Sequence, residues 1–342
     1  MTTHPPTGDL ALFPEVEAYD DDPINPSMER PTPPSIIAGL TRPERVQRVN
    51  NLIIQAQEIF KLGIETHRGD KTIKAVAILF SGGNDSTTLA HLFRFHATHA
   101  VHANTTIGAE ETRQYVRDTC EAWGLPLVEK KPPYTFREIV LGLVKTRKGE
   151  DVWPGGFPGP GAHSFIYQRI KERALDAARY DLGIGNSKTH LGVFVAGRRR
   201  LESEKRADIP LHEIDGSVVW VSPIANWSKL DLNTYRLMHE GTDDPVPRNW
   251  VADLMHMSME CLCGAYAHRG ELDEIRLHFP HIAAEIDALA AEVRAAIAAG
   301  ELDIDPAYAT WGHGLGKPSG AGRMCSSCDA RFATLFTEGI SA

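Results

Sequence analysis

The sequence predicts an α/β fold, a doubly wound parallel sheet followed by a helical C-terminal region. Three observations predict it. Short apolar runs that suit buried strands alternate with amphipathic stretches that suit helices. A serine- and glycine-rich turn, residues 81–86, lies between the first apolar run and the next helical pattern. The last quarter of the chain is helical in pattern and carries two close cysteine pairs.

The composition is that of an ordinary globular protein and excludes several classes. The chain has 342 residues, 42% hydrophobic and 24% charged, with a formal net charge of −9. This acidic balance argues against broad non-specific binding of nucleic acid. No apolar run approaches ~20 residues, so no membrane span is expected. The N-terminus lacks a secretory pattern, and the five cysteines lack a secreted disulfide pattern, so we expect a cytoplasmic protein.

We expect three segments: a disordered, proline-rich arm at 1–35, a nucleotide-binding α/β domain at 36–250, and a helical region at 251–342. Apolar runs predict strands at 75–80, 98–104, 126–130, 190–196 and 218–221. Helical spacing predicts helices at 41–67, from the turn to about residue 96, from 109 to about 123, at 140–145, 163–180 and 282–299. The glycine- and proline-rich stretch 153–162 is predicted to be an irregular loop.

The turn after the first strand is the main candidate site. It reads Ser-Gly-Gly-Asn-Asp-Ser over residues 81–86. Its glycines allow a tight turn and close approach of a ligand, and the following helix directs unpaired N–H groups at that turn. A helix N-terminus of this kind suits an anion such as phosphate. Asp85 would either cap the helix or hold Mg²⁺ beside a polyphosphate.

A second candidate site follows the strand at 190–196. Gly197 opens a stretch with three consecutive arginines, Arg198 to Arg200, followed by Glu202. Guanidinium groups bind phosphate or sulfate with a planar pair of donors. Because the carboxyl ends of parallel strands meet at one edge, these arginines would face the same crevice as residues 81–86. A solvated basic turn is the alternative interpretation.

Four motifs in this order resemble the phosphoadenosine phosphosulfate (PAPS) reductase-like family. They are S-G-G-x-D-S at 81–86, the loop at 104–112, G-x-R-x-x-E-S at 197–203, and P-I-x-x-W-S-x-x-D-x-x-x-Y at 223–235. The resemblance implies a Rossmann-like fold of the ATP pyrophosphatase, or adenine nucleotide alpha hydrolase-like, superfamily. This sequence departs from the family pattern at Asn104, where an aspartate is usual, and at Ala109 and Glu110, which replace Phe-Pro.

The resemblance also implies the site residues. Asp85 and Arg199 would be catalytic, and Glu202 would orient Arg199. The expected nucleotide-binding residues are Ser81, Gly82, Gly83, Asn84, Asp85, Ser86, Thr106, Gly108, Gly197, Arg199 and Glu202.

Two cysteine pairs predict a metal or cluster site. Cys261 and Cys263 form a C-x-C pair, and Cys325 and Cys328 form a C-x-x-C pair. Four thiolates suit either a [4Fe–4S] cluster or tetrahedral Zn²⁺. Spacing does not decide between them, and the resemblance favours the cluster. Free thiols or a redox disulfide at the second pair are the alternatives.

The resemblance implies an enzyme that binds ATP with Mg²⁺, adenylates an acceptor and releases pyrophosphate during sulfur transfer. A sulfur donor such as a cysteine desulfurase and a nucleic-acid acceptor would be its partners. A sulfonucleotide reductase is one alternative, with Cys120 or an external thiol as nucleophile, since the terminal E-C-G-[IL]-H segment of the reductases is absent from this sequence. A non-catalytic nucleotide-binding module with structural zinc is the other.

Overall fold

A computed structural model describes residues 20–185 and 188–313 of the chain. Its helices are α1 (Pro34–Ala38), α2 (Arg42–Arg68), α3 (Asn84–Phe93), α4 (Glu110–Ala122), α5 (Phe136–Val140), α6 (His163–Tyr167), α7 (Arg173–Asp181), α8 (Lys229–His239), α9 (Trp250–Met255), α10 (Glu271–His278) and α11 (Pro280–Ala298). Its strands are β1 (Thr72–Leu79), β2 (His99–Ala103), β3 (Leu127–Lys130), β4 (His190–Val195), β5 (His212–Asp215) and β6 (Val218–Val221).

The six strands form one sheet in the order β3-β2-β1-β4-β6-β5. All neighbouring pairs are parallel except β5 and β6, which are antiparallel. The predicted fold class is therefore confirmed. The prediction missed β5, which is a four-residue edge strand with two exposed positions. Its short polar sequence shows neither a continuous apolar run nor a clear alternation.

Helices cover both faces of the sheet. On one face, apolar residues of α2, α3 and α4 pack with β1 and β4 in one buried cluster. On the other face, α7 supplies Leu175 and Ala178 against Ala75, Ala77 and Phe194. The central strands are buried on both sides, which explains why β1 and β4 read as apolar runs in the sequence.

A third buried cluster joins the middle of the chain to its C-terminal part. It contains residues of α5 and α6, residues 259–265, and the inner face of α11. The segment after residue 250 thus shares a core with residues 107–170. Residues 20–28 lie against α2: Arg48 donates to the carbonyl of Pro23 (2.6 Å), and Asn51 donates to that of Ile24 (2.9 Å). Residues 1–19 lie outside the described part, so the predicted segment boundaries stay a prediction.

Two predicted helices differ from the structure. The helix expected at 140–145 instead spans Phe136–Val140. It begins there because Thr135 and Glu138 form a capping box, and it ends before Gly142, whose φ is 66°. The helix expected at 163–180 is present, but one π-helical turn at Gln168–Glu172 separates α6 from α7. Within the described ranges, no helix combines the length and apolarity that crossing a bilayer requires.

Candidate nucleotide-binding site

The candidate site lies where the strand order reverses. β1 is flanked by β2 on one side and β4 on the other, and all three run parallel. In open α/β sheets ligands bind beside such a switch point, at the carboxyl ends of the strands. The connection after β1 is the turn 81–86, and the connection after β4 contains Gly197 and Arg199. The topology therefore brings together the two segments that the sequence singled out.

The turn 81–86 is a glycine bend that leads directly into α3. Gly82 has a φ of 76°, a conformation that glycine adopts with little strain. An added Cβ at Gly82 would lie 2.7 Å from Cγ2 of Thr112, so the position is also crowded. Asn249 donates a 2.9 Å hydrogen bond to the Gly82 carbonyl. The bend is thus held from outside by α4 and by the residue that caps α9.

The serines of the turn contact each other and the backbone. The Oγ atoms of Ser81 and Ser86 are 3.1 Å apart, and Ser86 Oγ donates to the Gly83 carbonyl at 3.0 Å. Gly83 precedes α3 and provides no side-chain cap for its first N–H groups. The N-terminus of α3 therefore retains donors and a partial positive charge for an anion. Asn84 accepts from Arg236 at 3.1 Å, which connects the turn to α8.

Asp85 lies between two cations. Arg199 Nε donates to its Oδ2 at 2.6 Å, and Lys229 Nζ lies 3.4 Å from its Oδ1. Burial raises the pKa of Asp85, but the charges and hydrogen bonds of Arg199 and Lys229 outweigh it, so the net pKa is lowered. The carboxylate is therefore ionised at neutral pH. In this structure the group predicted to be catalytic is ion-paired and does not cap α3.

Arg199 is the arginine of the basic turn that faces residues 81–86. Its side chain is almost fully buried, with Nε on Asp85 and Nη1 3.4 Å from the Trp227 carbonyl. Among the described residues, Nη2 has no hydrogen-bond partner, so it remains available to an anion. Arg198 instead contacts Ser222 and Glu213, whereas Arg200 contacts the backbone of residues 29 and 209 and the side chain of residue 226.

Gly197 and Glu202 complete this side of the crevice. An added Cβ at Gly197 would lie 3.3 Å from the backbone nitrogen of Ser86, so glycine allows the two connections to approach closely. Glu202 is ion-paired with Arg206. Burial raises the pKa of Glu202. The partner of Arg199 in this structure is Asp85, whereas the resemblance implied an orienting contact from Glu202.

The loop after β2 packs against residues 258–262. Gly108 lies so close to this segment that an added Cβ would be 2.4 Å from the Glu260 carbonyl oxygen. The backbone of Ala109 donates to Met259, and that of Leu262 donates to Ile107, both at 2.9 Å. Thr106 has a φ of 65°, and its Oγ1 accepts from the N–H of residue 136 at 2.7 Å. Gly108 thus shapes the loop through close backbone packing, and Thr106 shapes it through its side-chain hydroxyl.

Glu260 is a buried carboxylate that connects this loop to the cysteine segment. It is 1% exposed and accepts from the backbone N–H of Thr105 at 2.9 Å. Arg113 Nε and His102 Nε2 each lie 3.3 Å from its Oε2. A buried carboxylate requires such partners, so these contacts hold residue 260 beside the β2 loop. Cys261 is the next residue in the chain.

Cys261 and Cys263 lie in the segment that packs against the loop after β2. A hydrogen bond from Cys263 lowers the pKa of Cys261 against the effect of burial, and Lys171 adds to this lowering. Ser258, three residues earlier, lies within ordinary contact distance of a Cβ built on Gly83. Ser258 of this segment therefore lies beside the turn 81–86. Cys325 and Cys328 lie outside the described residues.

Sequence reasoning missed several residues that hold the site. They are Lys229 and Arg236 on α8, Asn249, Ser258 and Glu260. Lys229 lies within the recognised motif at 223–235, so its position was a usable signal. Asp231 of that motif is structural. Its carboxylate accepts from the backbone N–H of Ser228, the N-cap of α8, and forms a buried ion pair with Arg48, with Nε and Oδ1 2.8 Å apart.

The fold is a Rossmann-like α/β fold with a glycine bend, a helix N-terminus and two cations at the switch point of its sheet. Residues 75–245 match the family model described as the phosphoadenosine phosphosulfate reductase domain. The chain belongs to this family, and membership supports a role in sulfur metabolism through an adenine nucleotide or sulfonucleotide. No curated protein matches the chain.

The solved structures that match this chain do so at low sequence identity and low TM-score. PAPS reductase from Candida auris, in a phosphate complex, is 16% identical with a TM-score of 0.39, and the match covers 63% of this chain and 93% of that one. FMN adenylyltransferase from Candida glabrata, with FAD and inorganic pyrophosphate, is 11% identical with a TM-score of 0.37, covering 60% and 62%. These similarities are too low to carry an argument about function.

Proposed function

We propose that the protein binds ATP in the crevice between the carboxyl ends of β1 and β4 and cleaves it between the α and β phosphates. The observation that carries the proposal is the arrangement of Asp85 between Arg199 and Lys229 at the N-terminus of α3. A helix N-terminus, a glycine bend and two cations suit the negative charge of a polyphosphate.

The cations would stabilise the charge that develops on pyrophosphate as it leaves. Arg199 can donate from Nη2 while Nε stays on Asp85, and Lys229 keeps donors beyond its 3.4 Å contact. These groups are already positioned by the fold, so the transition state need not reorganise them. In the reaction, an acceptor oxygen would attack the α phosphorus, and the bond from that phosphorus to the bridging oxygen of pyrophosphate would break.

Asp85 is an acidic side chain of this crevice that could hold Mg²⁺. Its Oδ2 is engaged by Arg199 at 2.6 Å, but Oδ1 has only a long contact and keeps the capacity to bind a hard cation. This donor set fits a magnesium ion that is brought by the nucleotide. Bound Mg²⁺ would neutralise phosphate charge and orient the leaving group.

The adenylated acceptor would then react with sulfur. A sulfur nucleophile would form a bond to the activated carbon or phosphorus of the acceptor, and AMP would leave with the acceptor oxygen. A sulfur donor protein such as a cysteine desulfurase would supply the sulfur as a persulfide, and a nucleic acid is the proposed acceptor. The terminal persulfide sulfur would bond to the acceptor, and a thiol would then reduce the resulting S–S bond to release the thiolated acceptor. The segment that carries Cys261 and Cys263 contacts the loop after β2 and, through Ser258, the turn 81–86, which supports a connection between the cysteine segment and this chemistry.

We further propose that Cys261 and Cys263 share a [4Fe–4S] cluster with Cys325 and Cys328, with Zn²⁺ as the alternative. Two observations support a site here. The two described thiols are adjacent, and Gly264 lies so close to Gly312 that an added Cβ would be 2.8 Å from its nitrogen. The chain that leads to the second pair therefore passes beside the first. Absorbance near 400 nm in anaerobically purified protein would support the cluster, and its absence together with bound zinc would support the alternative.

The direct test is pyrophosphate release. Protein purified anaerobically is mixed with Mg²⁺, ATP and candidate acceptors, including DNA and tRNA, and pyrophosphate is measured. We expect release that is lost in Asp85→Ala and retained in the matched control Asp118→Asn, an exposed acid on α4. ATP binding without pyrophosphate from any acceptor would instead favour a non-catalytic module.

A sulfonucleotide reductase is the second candidate, and the family match is the observation that favours it. Cys120 is a poor nucleophile for this reaction because it is 2% exposed and burial raises its pKa to about 12. An external thiol would have to attack the sulfonate sulfur. Sulfite release from PAPS or adenylyl sulfate would support this candidate, and release from neither would remove it.

A further inference from the structure

A second cluster of ligand-type side chains lies at the far end of α3, away from the turn 81–86. It consists of His91 on α3, His239 at the end of α8, and Asp244 in the loop that follows α8. One donor atom from each residue lies within 4.8 Å of the other two. His91 is seven residues after the start of α3, which places the cluster about 10 Å along the helix from the nucleotide crevice. We call these residues the His91 cluster.

The buried histidine of this cluster has an unpaired nitrogen aimed at the other two residues. The His91 side chain is 2% exposed, and its Nε2 forms no hydrogen bond with the described residues. Asp244 Oδ2 lies 3.4 Å from this nitrogen. Two ligands of a tetrahedral zinc ion, each about 2.05 Å from the metal, are separated by roughly 3.4 Å. The His91–Asp244 separation therefore already matches a shared ion.

The other ring nitrogens are placed as metal ligation requires. Nδ1 of His91 is 2.8 Å from the hydroxyl oxygen of the buried Tyr235, and this contact can hold the proton on Nδ1. Nδ1 of His239 is 3.1 Å from the Asp244 carbonyl oxygen, an acceptor that requires a protonated nitrogen. The Nε2 atoms of His91 and His239 are then unprotonated, and each can donate its lone pair to a metal ion. Outer contacts of this kind orient metal-bound histidines and select their tautomer.

Arg94 is the charged group that competes with a cation here. Its Nη2 donates to Asp244 Oδ2 at 2.5 Å, and its Nη1 donates to the His91 carbonyl at 2.5 Å. Each oxygen of an ionised carboxylate has two lone pairs, so Oδ2 of Asp244 can accept from Arg94 and still coordinate an ion. Because 52% of this side chain is exposed, an ion and a water ligand can enter from solvent. His239 is only partly buried, and its ligand atom lies within 4.8 Å of those of the other two residues.

We propose that His91, His239 and Asp244 bind one Zn²⁺-class ion, with water as the fourth ligand. Two imidazoles and one carboxylate suit zinc and similar first-row metals rather than Mg²⁺ or Ca²⁺. The ion would join the end of α3 to the end of α8. Since α8 also carries Lys229 and Arg236, which contact the turn 81–86, the ion would stabilise the helix pair behind the nucleotide crevice.

The test is a zinc titration of full-length, chelator-treated protein, read by calorimetry and by metal analysis. Wild type is compared with His239→Ala and Asp244→Asn, and with the control His278→Ala, an exposed histidine at the end of α10. All four proteins keep every cysteine, so zinc at the cysteine pairs contributes equally. We expect wild type and the control to bind one more equivalent of Zn²⁺ than the two cluster variants.

Tyr235→Phe provides an independent readout because it removes only the hydroxyl contact to His91. We expect the zinc affinity to fall about 10- to 100-fold with the stoichiometry unchanged at saturation. Far-UV circular dichroism establishes that each variant is folded before its zinc is counted. Equal zinc stoichiometry and affinity in wild type, His239→Ala and Asp244→Asn would overturn the proposal. The outcome is independent of ATP binding, since no nucleotide is present.

Discussion

Gly82 and Gly83 are neighbours in the candidate nucleotide loop, and alanine should have opposite effects at the two positions. Gly82 has a φ of 76°, in the left-handed region, whereas Gly83 has φ −78° and ψ 162°, an extended conformation open to any residue. The two substitutions add the same methyl group one residue apart. Any difference in stability between the two variants therefore reflects backbone conformation and local space, because the added side chain is the same.

The structure gives the expected magnitudes. At Gly82, the left-handed conformation costs an alanine about 1–2 kcal/mol. The added Cβ would also lie 2.7 Å from Thr112 Cγ2 and 3.1 Å from Val116 Cγ2, and such overpacking costs about 1–3 kcal/mol. The sum is about 2–5 kcal/mol. At Gly83 the nearest atom is 3.4 Å away, and loss of unfolded-state entropy would stabilise the protein by roughly 0.4–1 kcal/mol.

Chemical denaturation of the two variants beside wild type measures this difference. We expect Gly82→Ala to lower the free energy of unfolding by at least about 2 kcal/mol, while Gly83→Ala is unchanged or slightly more stable. Equal destabilisation of both variants, or a larger loss in Gly83→Ala, would refute the assigned conformation of the loop.

Three further predictions concern Asp231 on α8, Glu129 on β3, and Gly108 in the loop after β2. Asp231→Asn should lower the free energy of unfolding by about 3–5 kcal/mol in urea denaturation, because it leaves the buried guanidinium of α2 without its carboxylate. Hydrogen bonds from Arg117 lower the pKa of Glu129 to about 2 in the folded protein. The ionised carboxylate therefore contributes fully to the free energy of unfolding above the unfolded pKa near 4.5, and this contribution is lost as pH falls towards 2. Solvent screening reduces this contribution to about 1–2 kcal/mol, and Glu129→Gln should remove it, as unfolding measured across this pH range would show. Gly108→Ala should lower the free energy of unfolding by about 1–3 kcal/mol, since the new Cβ would lie 2.4 Å from a carbonyl oxygen. Gly161 has open space around it, so Gly161→Ala should have little effect in the same assay.

Much of the fold could be predicted because its central strands are buried on both faces. β1, β4 and β6 have apolar sequences of strand length, and their alternation with helices implies a parallel sheet. The edge strand β5 and the short helix α5 could not be placed in the same way. α5 is determined by the capping box at residue 135 and the glycine at 142, not by an extended apolar pattern.

The parts of the site that consist of one short sequence motif could be predicted. The turn 81–86 and Gly197 follow strands directly, so their meeting at one sheet edge follows from topology. The contacts that tether the turn were not predictable, because they join residues far apart in sequence. Lys229 reaches Asp85 across 144 positions, and Asn249 reaches Gly82 across 167. Such pairings depend on how helices pack.

Comparison of two adjacent arginines tests the central claim, that the crevice between β1 and β4 binds the phosphates of ATP. Calorimetry with Mg²⁺ and ATP is carried out on Arg199→Met and on Arg198→Met, whose native side chain contacts Glu213 and Ser222 instead of the loop. Loss of a charged hydrogen bond worth about 1.5–3 kcal/mol predicts roughly 10- to 150-fold weaker binding in Arg199→Met and unchanged binding in Arg198→Met. Equal ATP affinity in wild type and folded Arg199→Met would contradict the account.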